Sequence, residues 1–503
     1  MNQLVIAPLL LPLLTGTLLL LLRDTVSFRI QRQLNLTAVV AQILFAVILL
    51  VSDHEILVYA LGNWPAPSGI VLVADRLAVW MLLITAILAL FALLSAMRGS
   101  DQDGRHFHLL FQLQMFGLNG AFLTGDLFNL FVFFEILLLA SYGLLLHGGG
   151  ARRTRAGLHV VALNLLGSTL FLFAAGLIYG TLGTLNMADL SVKIAATPPE
   201  NLGLARTAGL LLFGVFALKA ALMPLHLWLP SAYSAAAAPV AALFAIMTKV
   251  GAYCLLRIGT LIFGEDAGAM ANLYANWLLP LALATLIIGA FGVLSASELR
   301  HQAAYLVVVS VGLLLAAFGL GTPDAISAGL YYLAHATFAT AALFLLSETI
   351  ASRRGASLDR LVSGVLIPRS GLIGRLFFIT AMLVAGLPPF SGFLGKFLVL
   401  RAAFVNPLWP WVMGIVLISG LLTLIALTRS GSLLFWRTEG ISDAAAAGIG
   451  ELTPVIGLLT LCLAMTIWAA PILALTKAAA NQLLRPQAYV QAVLGATVEA
   501  ENR

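Results

Sequence analysis

The chain is short of charge. Asp, Glu, Lys and Arg make up only 10% of its 503 residues, against about 25% in an ordinary soluble domain. It has two cysteines, Cys254 and Cys462, far apart in apolar runs. That excludes a disulfide framework, a cysteine-ligated zinc site and an iron–sulfur cluster. Long polar stretches are missing too. The hydrophilic connections are 98–106, 148–156, 182–206, 348–370 and 429–451, none roomy enough for a nucleotide-binding or catalytic soluble domain. No Ser/His/Asp set, no metal-ligand spacing and no paired histidines for haem are recognisable, so neither a metal nor a cofactor is expected. What is abundant is apolar surface: 61% of residues are hydrophobic and the mean hydropathy is +1.03. Such a chain is an integral membrane protein. Its net charge of +6 is spread over short loops, which reads as membrane topology and not as a nucleic-acid-binding face.

A span needs about 20 mostly apolar residues. Fourteen stretches qualify: 3–22, 35–52, 75–97, 107–124, 127–146, 157–181, 207–229, 239–263, 275–296, 303–320, 326–347, 371–400, 408–428 and 452–472. The first is too long for a secretory signal peptide and counts as a span. The segment 53–74 reads as an external loop with β character, and Lys477 to Arg503 as amphipathic or frayed. The expected fold is an all-α polytopic membrane protein of about 14 transmembrane helices. Sixteen arginines fall in the odd-numbered connections and eight basic residues in the even ones, Arg257 counted among the latter. The positive-inside bias then puts the odd connections in the cytoplasm and both termini outside. His147-Gly-Gly-Gly150 with Arg152, Arg153 and Arg155 becomes a flexible cytoplasmic turn.

Three lysines, Lys219, Lys249 and Lys396, remain inside spans, with Glu135 and His335 near the middle of theirs. A charge at mid-bilayer costs roughly 2.5–3.5 kcal/mol, so four facing lipid would cost about 10–14 kcal/mol. They must face inward, pair, or touch water. The plain alternative is a set of ion pairs that only clip helices together, but one Glu cannot neutralise three Lys, so simple pairing leaves an excess of base. Lysine can lose its proton when buried and regain it beside a carboxylate; arginine cannot. At about 6 Å and an effective dielectric near 20, a Glu–Lys pair is worth roughly 3 kcal/mol. Moving Glu135 relative to Lys219 is then enough to switch that lysine. His335 suits a relay step between Lys249 and Lys396. Asp126, beside Gly125, reads as a helix cap or entrance charge. Asn129, Tyr142, Thr248, Ser310 and Thr340 are candidates for holding water.

Lys219 precedes Met223-Pro224-Leu-His226-Leu-Trp228-Leu-Pro230, and Lys396 follows Gly386-Leu-Pro388-Pro389-Phe-Ser-Gly392. Both runs break a membrane helix. Interrupted spans in two halves of a chain mark transporter sites. The breaks lie five spans apart, and an odd-numbered repeat must invert. The expected units are 1–106 (spans one to three), 107–263 (repeat one, spans four to eight), 275–428 (repeat two, spans nine to thirteen) and 429–503 (span fourteen and tail). Gly392-Phe-Leu-Gly395-Lys396 lacks the spacing and the Ser/Thr of a phosphate loop, and sits in a span.

The run from Leu218-Lys219 through Pro224, His226, Trp228 and Pro230 to Pro239 and Lys249-Val-Gly251 resembles the signature of the antiporter-like proton-pumping subunits of respiratory complex I. Phe134-Glu135, Gly386 to Lys396 and Glu298-Leu-Arg300-His301 fit as well, so the likeness covers roughly residues 70–430. Within that superfamily, Arg485-Pro-Gln-Ala-Tyr489 and the end after span fourteen are similar to the D subunits of the Mrp-type (Mnh or Pha) multisubunit monovalent cation/proton antiporters. The resemblance implies two inverted five-helix repeats with helices 7 and 12 broken. It implies a proton path through Glu135, Lys219, Lys249, His335 and Lys396, supported by Asp126, His226, Thr340, Pro224, Pro388 and Pro389. It implies partner membrane subunits, with protons and Na+ or another monovalent cation as cargo, in a bacterial inner membrane. Two departures stand out: Ala235 to Ala238 where the family often has Pro, and Thr340 where relatives often carry Lys. The rival readings are a non-redox pumping subunit of a quinone reductase or membrane-bound hydrogenase, which shares the same motif, and a scaffold with dead proton sites.

Overall fold

The computed structural model describes residues 2–52 and 56–501; residues 53–55 of the expected external loop, residue 1 and residues 502–503 lie outside the described set. Long apolar runs form helices because only helices satisfy every backbone group inside lipid. The first six are α1 (Ala7–Leu21), α2 (Phe28–Val51), α3 (Arg76–Ala96), α4 (Phe107–Leu123), α5 (Leu127–Leu146) and α6 (Ala151–Leu182). Between α2 and α3 an antiparallel hairpin, β1 (Leu57–Ala60) and β2 (Val71–Ala74), supplies the β character expected there. A short amphipathic α7 (Met187–Ala195) occupies the connection 182–206. Then follow α8 (Leu202–Ala220), α9 (Trp228–Ala235), α10 (Ala238–Phe244), α11 (Met247–Leu261), α12 (Ala275–Ser295), α13 (Leu299–Gly319) and α14 (Pro323–Ala351). The chain continues through β3 (Gly364–Leu366), α15 (Ser370–Ala385), α16 (Ser391–Ala403), α17 (Trp409–Phe435), β4 (Thr438–Ile441), α18 (Ile449–Ile467), α19 (Ala469–Leu483) and α20 (Pro486–Glu501).

All fourteen expected spans fall on helix. Among the described residues twelve segments are long and apolar enough to cross a membrane. The other two are α4, which is only 17 residues long and carries Gln112, Gln114 and Asn119, and the broken pair α15–α16. Several helices start earlier than expected; α2, α6 and α14, for example, begin at Phe28, Ala151 and Pro323, each with polar residues in its first turns.

The fold is layered around α14, the apolar window of which is wholly buried, whereas those of α1, α2 and α17 are only one-third buried. Small residues let helices approach closely. A Cβ on Gly312 of α13 would lie 2.7 Å from the backbone nitrogen of Leu286 on α12.

Two buried ionic clusters pin the bundle away from its centre. Asp75 caps α3 through the amide of Ala78 and takes a bidentate pair from Arg257 at 2.5 and 2.7 Å. Arg257 therefore belongs inside α11, not among the outer connections. Tyr489 of α20 covers its guanidinium at 5.4 Å, and Gln482 accepts from the Arg76 amide at 3.0 Å. The tail is thus helical and seated, not frayed. At the opposite end Asp101 receives two 2.7 Å bonds from Arg32 and sits 3.3 Å from His108. Burial alone would raise the Asp101 carboxyl, but the His108 and Arg32 contacts outweigh it and hold the group below its ordinary range.

Removing one member of a buried pair strands the other charge at a cost of about 3–5 kcal/mol. Asp75→Ala is expected to lower the thermal midpoint of the purified subunit markedly, and Asp75→Ala with Arg257→Met to recover most of it. An unchanged midpoint in Asp75→Ala would show that the pair contributes nothing.

Candidate functional site

Lys219 lies in the last turn of α8, not at mid-helix. Ala221 takes a left-handed conformation (φ 58°) and stops the helix one residue after Ala220. The freed groups of this break find protein partners: the indole of Trp228 donates to the Leu218 carbonyl at 3.1 Å, and the Met223 amide to Thr285 Oγ1 at 2.8 Å. The chain passes through Pro224 and the buried His226 into α9. The second break mirrors the first in one respect. Gly386 (φ 80°) ends α15, and Lys396 reaches back from α16 to donate to the Val384 and Ala385 carbonyls at 3.3 and 2.7 Å. Both lysines therefore sit where a half-helix exposes its carbonyl end, the place where a helix favours positive charge. Pro388 and Pro389 lie between Gly386 and α16.

Glu135, half-buried on α5, makes no ion pair within 4 Å among the described residues; it accepts a short hydrogen bond from Ser168 Oγ. Lys219 donates to Asn164 Oδ1 at 3.0 Å. Asn164 and Ser168 lie one turn apart on the inner face of α6, so α6 stands as the go-between for acid and base. The two are still near enough for their charges to act on each other. Phe134, Phe171 and Phe216 wall this pair, with Lys219 Nζ 5.7 Å from the Phe134 ring. Asn164, Ser168 and Ser391 are site residues that the sequence reading does not single out. For the α6 pair the available signal is two polar residues four apart in an apolar helix.

Lys249, fully buried, follows a tightened turn at Ala245–Ile246, both in helical conformation, that separates α10 from α11 with no proline or glycine to announce it. It donates to Ser310 Oγ at 3.1 Å, one of the expected water-holding groups. Gly251, two residues on, packs directly on the end of α8: a Cβ there would lie 2.3 Å from the Ala220 nitrogen. Thus Lys219 and Lys249 sit on backbones in contact. His335, 1% exposed, pairs Nδ1 with Ser391 Oγ at 2.9 Å and faces the charge of Lys396.

The five expected residues therefore form three groups: Glu135–Ser168 with Asn164–Lys219, Lys249–Ser310, and His335–Ser391 with Lys396. Direct hydrogen bonds do not join one group to the next among the described residues. Asp126 caps α5 through the Asn129 amide at 2.8 Å. Thr340 is turned onto its own helix, bonding the Ala336 carbonyl at 2.6 Å. His226 leaves Nδ1 without a partner.

The three lysines are thus held by neutral oxygens. The sequence model of the NADH:quinone oxidoreductase/Mrp antiporter transmembrane family matches residues 124–423. The chain belongs to that family. It is 44% identical over 469 residues to the D subunit of a probable K(+)/H(+) antiporter from Rhizobium meliloti (strain 1021), covering 87% of this chain and 86% of that one. It is 37% identical over 501 residues to the D subunit of the Na(+)/H(+) antiporter from Alkalihalophilus pseudofirmus, covering 98% and 100%. A chain of the Mrp complex from Dietzia sp. DQ12-45-1b superposes with a TM-score of 0.89 at 28% identity, over 98% of this chain and all of that one.

The contact between Gly251 and Ala220 gives a geometric test. A methyl at Gly251 must push α11 off α8, at a cost of about 1–3 kcal/mol. Gly251→Ala is expected to lower the thermal midpoint, while Gly176→Ala, which has open space, leaves it unchanged. Equal midpoints for both variants would contradict the close approach.

Proposed function

We propose that this chain is the proton-translocating membrane subunit of a multisubunit monovalent cation/proton antiporter, with no redox step of its own. The observation that carries the reading is that Lys219, Lys249 and Lys396 are each held by neutral oxygens, and among the described residues none has a carboxylate within ion-pair distance. A neutral oxygen accepts from an ammonium and from an amine alike, so gaining or losing the proton leaves the hydrogen bond in place. The Asp75–Arg257 pair has the opposite property: it is a fixed lock.

In this account Glu135 tunes Lys219 through Ser168 and Asn164. Lys249 receives the proton beside Ser310, and His335 passes it to Lys396. Water fills the gaps between the three groups. Asp126, His226 and the prolines Pro224, Pro388 and Pro389 shape the surroundings, and Thr340 holds its helix. The breaks belong to two inverted five-helix repeats, 107–263 and 275–428, flanked by 1–106 and 429–503. An elementary charge crossing 100 mV is worth about 2.3 kcal/mol, the scale of a Glu–Lys interaction at about 6 Å, so the gradient is large enough to work the switch.

Glu135 and Lys396, at the two ends of the row, are only half-buried. Their helices show apolar side chains outward, Leu139 at 66% and Phe397 at 48% exposure. Partner membrane subunits seat there. The complex resides in the bacterial cell membrane with both termini outside. The antiporter reading is preferred to a redox-complex subunit because the relatives aligned at 37–44% identity carry antiporter names.

Lys219→Ala is expected to abolish cation-driven proton movement in vesicles containing the assembled complex; full antiport would remove this residue from the mechanism. Losing a hydrogen bond to a charged group costs about 1.5–3 kcal/mol, so Asn164→Leu should slow the same movement about tenfold or more. Wild-type rates in Asn164→Leu would contradict the part given to α6.

A further inference from the structure

On the side of the odd connections, a cavity of about 870 Å³ opens between α6, α9 and α13, lined by Arg152, Arg155, His159, Ser231, Ser234 and His301. Its lining contains two arginines, two histidines and no acidic residue. Arg152 is partly neutralised from above by Glu298 at 2.5 Å. Arg155 and His159 are exposed and, among the described residues, have no ion pair and no hydrogen-bond partner. They lie four apart and so share one face of α6.

The depth of this cavity identifies its surroundings. α6 is 32 residues long, about 48 Å at 1.5 Å per residue, whereas a bilayer's hydrocarbon is about 30 Å thick. Its first two basic turns therefore lie at headgroup level. Further along the helix the outward residues become apolar: Leu158, Leu165 and Phe173 are 72, 63 and 64% exposed. The His301 ring meets that of Tyr305, tilted, with centroids 5.1 Å apart. Tyr305 in turn lines a second cleft of about 510 Å³, walled by Leu227, Ile288 and Phe291. The cup and the apolar cleft thus adjoin across the His301–Tyr305 contact, beside the broken segment between α8 and α9.

We propose that this composite site binds one anionic phospholipid, its phosphate held by Arg155, His159 and His301 and its acyl chains laid in the cleft beside Leu227. Charge complementarity selects an anionic headgroup over a zwitterionic one, and basic pockets between spans take such headgroups. The apolar continuation selects a lipid over free phosphate. The bound lipid bridges α6, whose opposite face carries Asn164 and Ser168, to α13. It joins the two expected repeats where the Arg152–Glu298 pair already crosses. This inference does not depend on the proton path.

The test uses the purified complete complex in phosphatidylcholine vesicles doped with a photoactivatable phosphatidylglycerol. The expected result is labelling of α6 and α13, displaced by unlabelled phosphatidylglycerol and not by inorganic phosphate. In Arg155→Gln/His159→Gln, labelling should fall about tenfold or more, two basic groups having been removed; Arg155→Lys, which keeps the charge, should retain it. Equal labelling in the double variant would overturn the proposal. So would displacement by inorganic phosphate alone. The same holds for absence of lipid label together with quantitative crosslinking of His159→Cys to another membrane protein of the complex, which would assign the cup to a protein partner.

Discussion

The structure turns on one constraint: a charge inside lipid must be either locked or made dispensable. Asp75–Arg257 is the locked case, a bidentate pair sealed by Tyr489. Arginine does not deprotonate, so this pair fixes α3, α11 and the tail together. The central lysines are the other case. Asn164, Ser310 and the carbonyls of Val384 and Ala385 accept their hydrogen bonds without binding the proton itself. The same chain thus pairs arginine with carboxylate at a fixed contact and, in the function proposed here, lysine with neutral oxygen where a proton moves.

Broken helices make the second arrangement possible. An unbroken α8 would spend the carbonyls of its last turn on its own ladder. The left-handed Ala221 and Gly386 free such groups at the depth where Lys219 and Lys396 sit. Trp228 and Thr285 satisfy what the lysines do not. At Lys396 the partners are backbone carbonyls, whereas Lys219 and Lys249 each use one neutral side chain, Asn164 and Ser310.

Much of this is legible in the residues. Mid-span lysines, a glutamate and a histidine in an apolar chain stand out against their cost. Proline and glycine runs announce two of the breaks, and apolar run lengths give the fourteen spans. What escapes has physical reasons. Ala221 ends α8 in a conformation that an alanine does not advertise, so Lys219 looks mid-helical in the sequence. The tightened α10–α11 turn at Ala245–Ile246 has no local proline or glycine. Asp75 and Arg257 lie far apart in sequence, so only the fold pairs them. Asn164 and Ser168 are hidden because α6 turns one face to lipid and one to the site, and its composition averages the two. Thr340 bonds its own helix; no charge is needed to bury it.

The most direct test keeps the charge and removes only the ability to release it. In Lys219→Arg the side chain stays cationic but cannot give up its proton. If proton release at Lys219 is the working step, the assembled complex carrying this substitution will show no cation-driven pH change in inverted vesicles. A pH change of wild-type rate and extent would contradict the account, because a permanent charge at the end of α8 would then suffice.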